Sequence, residues 1–177
     1  MVERLIASTL SRFLDDIAST EPSPGSGAAG AMTLAMGIAC ARKAVRITAA
    51  HHPGDDLLAR ADERLGAMGR AACEGAERDA RHFARMIAAM QRAHDDEADR
   101  IARASLIQAS AVQLIKVGRD LIVLGDEARQ ILVEIRDRLD PIMSNDVNAA
   151  MSLIEANRRI QSDNVAENRR HVDDGQP

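Results

Sequence analysis

One stretch of the chain repeats apolar or small residues every three or four positions, and this spacing constrains the fold most. The repeated positions are Leu57, Ala61, Leu65, Met68, Ala72, Gly75, Asp79, Phe83, Met86 and Met90, of which only one is polar. Such spacing places side chains on one face of an α-helix, whereas a strand alternates every second residue. No alternating β-branched segment occurs anywhere in the chain. The sequence therefore predicts an all-α protein.

Short polar breaks divide the chain into about five helices. We predict helices over residues 3–19, 27–50, 57–90, 98–139 and 145–170, followed by a disordered tail over 171–177. Gly118 and Gly125 mark places where the fourth helix could kink. Short connections favour antiparallel neighbours, so residues 1–170 should form one antiparallel helical bundle.

Composition excludes several kinds of partner. Hydrophobic residues make up 46% of the 177 residues but aromatic residues only 1%, which predicts a core of closely packed helices. The net charge is −4, with basic and acidic residues well mixed, so we expect no nucleic acid partner. No apolar run reaches bilayer length, and no signal peptide is evident, so we expect no membrane partner. Cys40 and Cys73 lack zinc-site spacing, which predicts no metal and a reduced cytoplasmic protein.

A glycine-rich segment over residues 23–30 begins the second helix. Its pattern G-x-G-x-x-G is that of dinucleotide-binding proteins, but here a helix precedes it rather than a strand, which excludes that interpretation. What remains is a Pro-Gly turn opening a helix with very small side chains. Such a helix allows close approach of another backbone or of a flat ligand, and its unbonded amides favour anionic groups. Gly25, Ser26 and Gly27 are therefore candidate binding residues.

Asp79 interrupts the apolar stripe of the third helix, so its carboxylate should point into the interior. A buried carboxylate has the environment of a general acid or base near neutral pH. The alternative is a salt bridge with Arg78, Arg81 or Arg85. His82 lies three residues after Asp79 and is either its partner in an acid–base pair or a neighbour on the helix surface.

Polar residues also recur on one line of the last helix. Asp146, Asn157 and Asn164 are spaced by eleven and seven residues. They therefore share one semi-buried face, where they would bind a ligand or form hydrogen bonds between helices. Arg46, near the end of the second helix, would stabilise the helix dipole or bind a carboxylate.

Several segments, taken in order, resemble motifs of one known family. Residues 13–27 resemble F-L-D-x-L-A-S followed by P-T-P-G-G-G, residues 79–83 resemble D-A-x-A-F, residues 145–150 resemble S-D-x-x-x-A, and residues 164–168 resemble N-V-x-x-N. These are motifs of the cyclodeaminase/cyclohydrolase family. That family comprises the cyclodeaminase domain of formiminotransferase-cyclodeaminase and the bacterial methenyltetrahydrofolate cyclohydrolases.

The resemblance implies an all-helical homodimer that acts on a tetrahydrofolate derivative as its substrate, without a further cofactor. Members close 5-formiminotetrahydrofolate to the 5,10-methenyl form with loss of ammonia, or hydrolyse the methenyl form to 10-formyltetrahydrofolate. The aspartate of D-A-x-A-F, here Asp79, is the expected catalytic residue. The predicted catalytic residues are Asp79 and His82, and the predicted substrate-binding residues are Gly25, Ser26, Gly27, Arg46, Asp146 and Asn164.

Two other functions stay open. Residues 49–52, Ala-Ala-His-His, stand where the family pattern has a run of lysines suited to a folate glutamate tail. A divergent member could therefore cyclise, hydrolyse or deaminate a different nitrogen-containing small molecule. The third hypothesis is a non-catalytic helical dimer that keeps the fold for binding or assembly.

Overall fold

Five α-helices form the scaffold of the protein. The structure is a computed structural model and describes residues 9–92 and 95–173. The helices are α1 (Leu10–Ala18), α2 (Ser26–His51), α3 (Asp56–Met90), α4 (Glu97–Glu134) and α5 (Ser144–Asp173), with short 3₁₀ turns at Arg136–Arg138 and Pro141–Met143. No strand occurs in the described ranges, which confirms the all-α prediction.

Helices α2 to α5 pack as a four-helix bundle. Both α2 and α4 pack against α3 and α5, so α2 and α4 lie diagonally across the bundle. Gly27 at the start of α2 lies against Asp79 in the second half of α3. Arg42 in the second half of α2 binds Asp62 near the start of α3. Helices α2 and α3 are therefore antiparallel, as predicted from the short loop between them.

Small side chains let α2 approach its neighbours closely. Ala28, Ala31, Ala41 and Ala44 are all fully buried. Larger side chains from every helix of the bundle fill the space between these alanines; they include Leu34, Ile38, Leu58, Leu65, Leu121, Ile131 and Ile154. The small-residue face of α2 is thus covered by α3 and α5 of the same chain.

The end of α4 differs from the prediction. The helix ends at Glu134, before the predicted residue 139, and residues 136–138 form a 3₁₀ turn. Pro141 has no backbone N–H and begins a second turn, whose first amide is bound by the Asp140 side chain. Gly118 and Gly125 lie inside the continuous helix and are buried where α5 packs closely against it.

The last helix is longer than predicted. Helix α5 continues to Asp173, so residues 171–173, predicted to belong to the tail, are helical. The predicted start of the first helix at residue 3 and the rest of the tail lie outside the described residues. Within the described ranges, no helix has both the length and the apolar character required to cross a bilayer.

Candidate active site

One carboxyl group lies inside the bundle, close to the start of α2. Asp79 of α3 is only 7% exposed. Among the described residues no cation pairs with it, and the nearest candidate in sequence, Arg78, instead binds Asp120 of α4 at 3.5 Å. Arg81 and Arg85 are exposed. The salt-bridge alternative is therefore wrong, and Asp79 is a buried carboxyl group without a countercharge.

Burial changes the acidity of this group. Removal from water raises the pKa of Asp79 from 3.8 to about 6, and a hydrogen bond from the Ala28 backbone N–H opposes part of this rise. A pKa near 6 means that both the charged and the neutral form are accessible close to neutral pH. This is the property that a general acid or base needs.

The first turn of α2 provides the polar surroundings of Asp79. Gly25 caps the helix without a side-chain hydrogen bond, so the first amides of α2 are left for outside acceptors. The carboxylate of Asp79 accepts a hydrogen bond from the Ala28 backbone N–H, and Gly27 packs directly against this carboxylate. A Cβ at Gly27 would lie 2.6 Å from Oδ2 and closer still to Oδ1. Only glycine allows this approach.

The turn before α2 is attached to α3 immediately after Asp79. Ser23 Oγ donates a hydrogen bond of 2.8 Å to the carbonyl oxygen of Ala80. Gly25 faces the ring of Phe83, whose Cε1 would lie 3.7 Å from a Cβ at that position. The Ser23–Pro24 peptide bond is cis. The Ser23 hydrogen bond and the packing of Gly25 against Phe83 hold the first turn of α2 over the Asp79 side chain.

Helix α5 contributes two amide side chains to the same place. Ser26 Oγ donates to Asn164 Oδ1 at 2.9 Å. Gln161 Nε2 donates to the Gly27 carbonyl oxygen at 2.9 Å, and the Gln161 side chain is fully buried. The structure therefore brings Gly25, Ser26 and Gly27 together with two sequence-predicted residues from other helices, Asp79 and Asn164.

His82 faces a different part of the surface. It is half-buried and lines a cleft of about 560 Å³ between α3 and α4, together with Arg85, Arg92 and Ser110. Burial, followed by the charges of three arginines on the same helix, lowers the pKa of His82. The hydrogen bond that reaches Asp79 comes from Ala28, not from His82.

Arg46 and Asp146 lie at the opposite end of the bundle. Arg46 Nε binds Asp62 Oδ1 at 2.8 Å, and Lys43 Nζ binds Asp146 Oδ1 at 2.9 Å. Arg46 follows Gly27 by nineteen residues on one helix, a separation of about 28 Å along the axis. Within one chain these two residues are therefore too far from Asp79 to share a small ligand with it.

Comparison of the sequence with models of known families shows which family the chain belongs to. The model described as formiminotransferase-cyclodeaminase matches residues 9–176. The chain belongs to the formiminotransferase-cyclodeaminase family. No curated relative matches the sequence. Among solved structures, formiminotetrahydrofolate cyclodeaminase from Thermotoga maritima is similar, with a TM-score of 0.82 and 21% identity over 96% of this chain and 82% of that chain. At this identity the likeness shows a shared fold.

Gln161 is the residue of this family member's site that sequence reasoning missed. It lies four residues after Asn157 and three before Asn164, on the same helix face, so the spacing contained the signal. The three amides nevertheless have different partners, since Asn157 Nδ2 donates to the carbonyl oxygen of Leu121 at 3.2 Å. On this face of α5, Asn157 therefore bonds to α4. Gln161 and Asn164 bond to the first turn of α2, beside Asp79.

The chemistry available in this family member is proton transfer next to oriented backbone donors. Asp79 supplies one titratable group, and the start of α2 supplies amides and a small-residue surface. In the part of the chain that the structure describes, no three His, Cys, Asp or Glu side chains cluster in a way that could hold a metal ion.

Proposed function

We propose that the protein is a folate one-carbon enzyme that converts 5-formiminotetrahydrofolate to 5,10-methenyltetrahydrofolate and ammonia. Membership of the formiminotransferase-cyclodeaminase family and the name of the Thermotoga maritima neighbour support this substrate class. The observation that carries the proposal is Asp79, an unpaired buried carboxyl group whose pKa is raised to about 6. Such a group exchanges protons efficiently near neutral pH.

In the proposed reaction Asp79 moves one proton between two nitrogen atoms of the substrate. N10 attacks the carbon of the protonated formimino group, forming a new C–N bond, and the Asp79 carboxylate accepts the N10 proton. Asp79 then donates this proton to the formimino nitrogen as its bond to carbon breaks. Ammonia leaves, and the positive charge of the protonated formimino group remains on the methenyl bridge, so atoms and charge balance.

The start of α2 is the proposed binding surface for the flat pterin ring. Gly25 and Gly27 present backbone rather than side chains, which permits close approach to Asp79. Ser26 and Asn164, joined by a hydrogen bond, are available at the edge of this surface. In one chain the proposed site consists of these residues and Asp79.

We propose that a second copy of the chain covers an exposed apolar face of α4. Ile101, Val112 and Val123 are 59%, 45% and 55% exposed. They are spaced by eleven residues, so successive side chains turn by only about 20° around the helix. Since α3 and α5 already cover the small-residue face of α2, this apolar line on α4 is the better candidate for a homodimer interface.

The proposed setting is a reducing compartment, and the reaction needs no added cofactor. Cys40 and Cys73 are free thiols, which fits the cytoplasm. Proton transfer by Asp79 accounts for both chemical steps without a metal ion. Activity should therefore persist in buffer that contains EDTA.

Turnover of defined folates tests the proposal. Purified protein is mixed with 5-formiminotetrahydrofolate in EDTA, and methenyltetrahydrofolate absorbance and ammonia release are followed together. The expected result is equal, enzyme-dependent formation of both products. Acceleration of methenyltetrahydrofolate hydrolysis alone would make the protein a cyclohydrolase instead. No acceleration of either reaction would refute the folate proposal and favour another nitrogen-containing substrate or a non-catalytic role.

A further inference from the structure

One peptide group beside Asp79 is held by hydrogen bonds at both ends. The peptide between Gly27 and Ala28 accepts a hydrogen bond at its carbonyl oxygen from Gln161 Nε2, at 2.9 Å. The Asp79 carboxylate packs directly against Gly27, within 2.6 Å of where a Cβ would lie, and there it accepts from the N–H of this peptide, which belongs to Ala28. A side chain of α5, a peptide of α2 and a carboxylate of α3 thus form one chain of hydrogen bonds.

We propose that Gln161 is a positioning residue for Asp79, which orients and polarises the Gly27–Ala28 peptide so that its N–H points at the carboxylate. A donor at the carbonyl end of a peptide strengthens the N–H at the other end, because linked hydrogen bonds polarise one another. This role rests on the proposed function, in which Asp79 carries the proton. Gln161 touches no reacting atom and acts only through the peptide.

Two glycines leave room for the Gln161 amide. The side chain is fully buried, and a Cβ at Gly30 would lie only 2.7 Å from its Nε2. On the other side, a Cβ at Gly118 of α4 would lie 3.5 Å from its Oε1. The amide orientation follows from chemistry, since the Gly27 carbonyl oxygen can only accept a hydrogen bond.

The Gln161 amide is only half satisfied. Its Oε1 is buried and has no hydrogen-bond partner among the described residues. An unpaired buried acceptor destabilises the fold, whereas an apolar side chain of similar length would avoid this loss. Within the described residues the Gln161 amide thus bonds through Nε2 alone, to the Gly27 carbonyl oxygen.

No charged neighbour replaces the Ala28 N–H. Helix α2 carries no charged residue before Arg42. On the other elements the charged side chains of the facing turns are exposed, paired or turned to the α3–α4 cleft; they are Glu21, Arg78, His82, Lys116, Asp120, Asp163 and Glu167. The charged form of Asp79 is therefore stabilised by the Ala28 N–H, which belongs to the peptide that Gln161 binds.

The test measures the acidity of Asp79 directly in Gln161→Met. Methionine has a similar length but cannot donate a hydrogen bond. The Asp79 carboxyl carbon is followed by ¹³C NMR against pH, and its signal is assigned by its loss in Asp79→Asn. In Gln161→Met the pKa of Asp79 should rise by about 0.5 to 1, because a hydrogen bond to the charged form is weakened. The acidic limb of the kcat/KM profile should move in the same direction.

Asn157→Leu is the matched control. Asn157 is also a fully buried amide on α5, but its hydrogen bond goes to Leu121 and not to the Gly27–Ala28 peptide. It should leave the Asp79 titration in place. If Gln161→Met fails to fold, Gln161→Leu removes the same donor. The proposal would be overturned if the Asp79 pKa is unchanged in Gln161→Met, or if it moves equally in Asn157→Leu. The NMR titration gives this answer even if the protein turns over no folate.

Discussion

Replacing Asp79 by asparagine should make the protein relatively more stable as the pH rises. The folded state holds the Asp79 proton more tightly than the unfolded chain does, because the pKa of Asp79 is raised from 3.8 to about 6. Protonated Asp79 therefore contributes stability at low pH, and this contribution is lost as the pH rises through about 6. Asparagine stays neutral at every pH and does not lose it.

The size of the effect follows from the two pKa values. The shift of the Asp79 pKa from 3.8 to about 6 lowers the free energy of unfolding by about 3 kcal/mol between the fully protonated and the fully ionised form. Between pH 4 and pH 8 the stability difference between the variant and the wild type should change by about 2.5 kcal/mol in favour of the variant. For 177 residues this corresponds to about 5 to 10 °C in Tm.

Urea unfolding of both proteins at several pH values measures this difference. The asparagine amide nitrogen can lack a partner at the buried site, which adds a constant penalty, so the change with pH is the quantity that matters. Asp137→Asn makes the same chemical change at an exposed position and is the matched control. A difference for Asp79→Asn that does not change with pH would mean that the Asp79 charge is compensated in the folded protein, contrary to the geometry.

Two further substitutions test the site and the assembly. Gly27→Ala should destabilise the protein by about 1 to 3 kcal/mol and reduce turnover, because the added Cβ collides with Asp79. Gly69→Ala is its control, since a Cβ there meets only an ordinary contact of 3.5 Å to Ile38 and should stabilise α3 by up to about 1 kcal/mol in thermal unfolding. Val123→Glu, in the exposed apolar line of α4, should convert a dimer to a monomer in sedimentation velocity. A wild-type protein that already sediments as a monomer at micromolar concentration would refute the proposed interface.

The burial of Asp79 was predictable because it depends only on helix periodicity. Asp79 continues a stripe of residues spaced by three and four, and such a stripe faces the core whatever the helix packs against. The partner of Asp79 was not predictable in the same way. The Ala28 N–H comes from a helix about fifty residues earlier, and its position depends on how α2 and α3 align.

The site predictions did not take into account how far apart two residues lie along one helix. Arg46 and Gly27 were both predicted to bind substrate, yet nineteen residues of one helix separate them, which is enough to place them at opposite ends of the bundle. His82 illustrates the complementary difficulty. A spacing of three residues brings it near Asp79 along α3, but only the packing of α4 shows that it faces another cleft.

The turnover rate of Asp79→Asn tests the central claim most directly. Wild type, Asp79→Asn and the control Asp137→Asn are compared at saturating 5-formiminotetrahydrofolate near neutral pH, with folding verified by circular dichroism. If Asp79 carries the proton, kcat of Asp79→Asn falls by about 10² to 10⁴ while the control keeps the wild-type value. A folded Asp79→Asn with wild-type kcat would contradict the account.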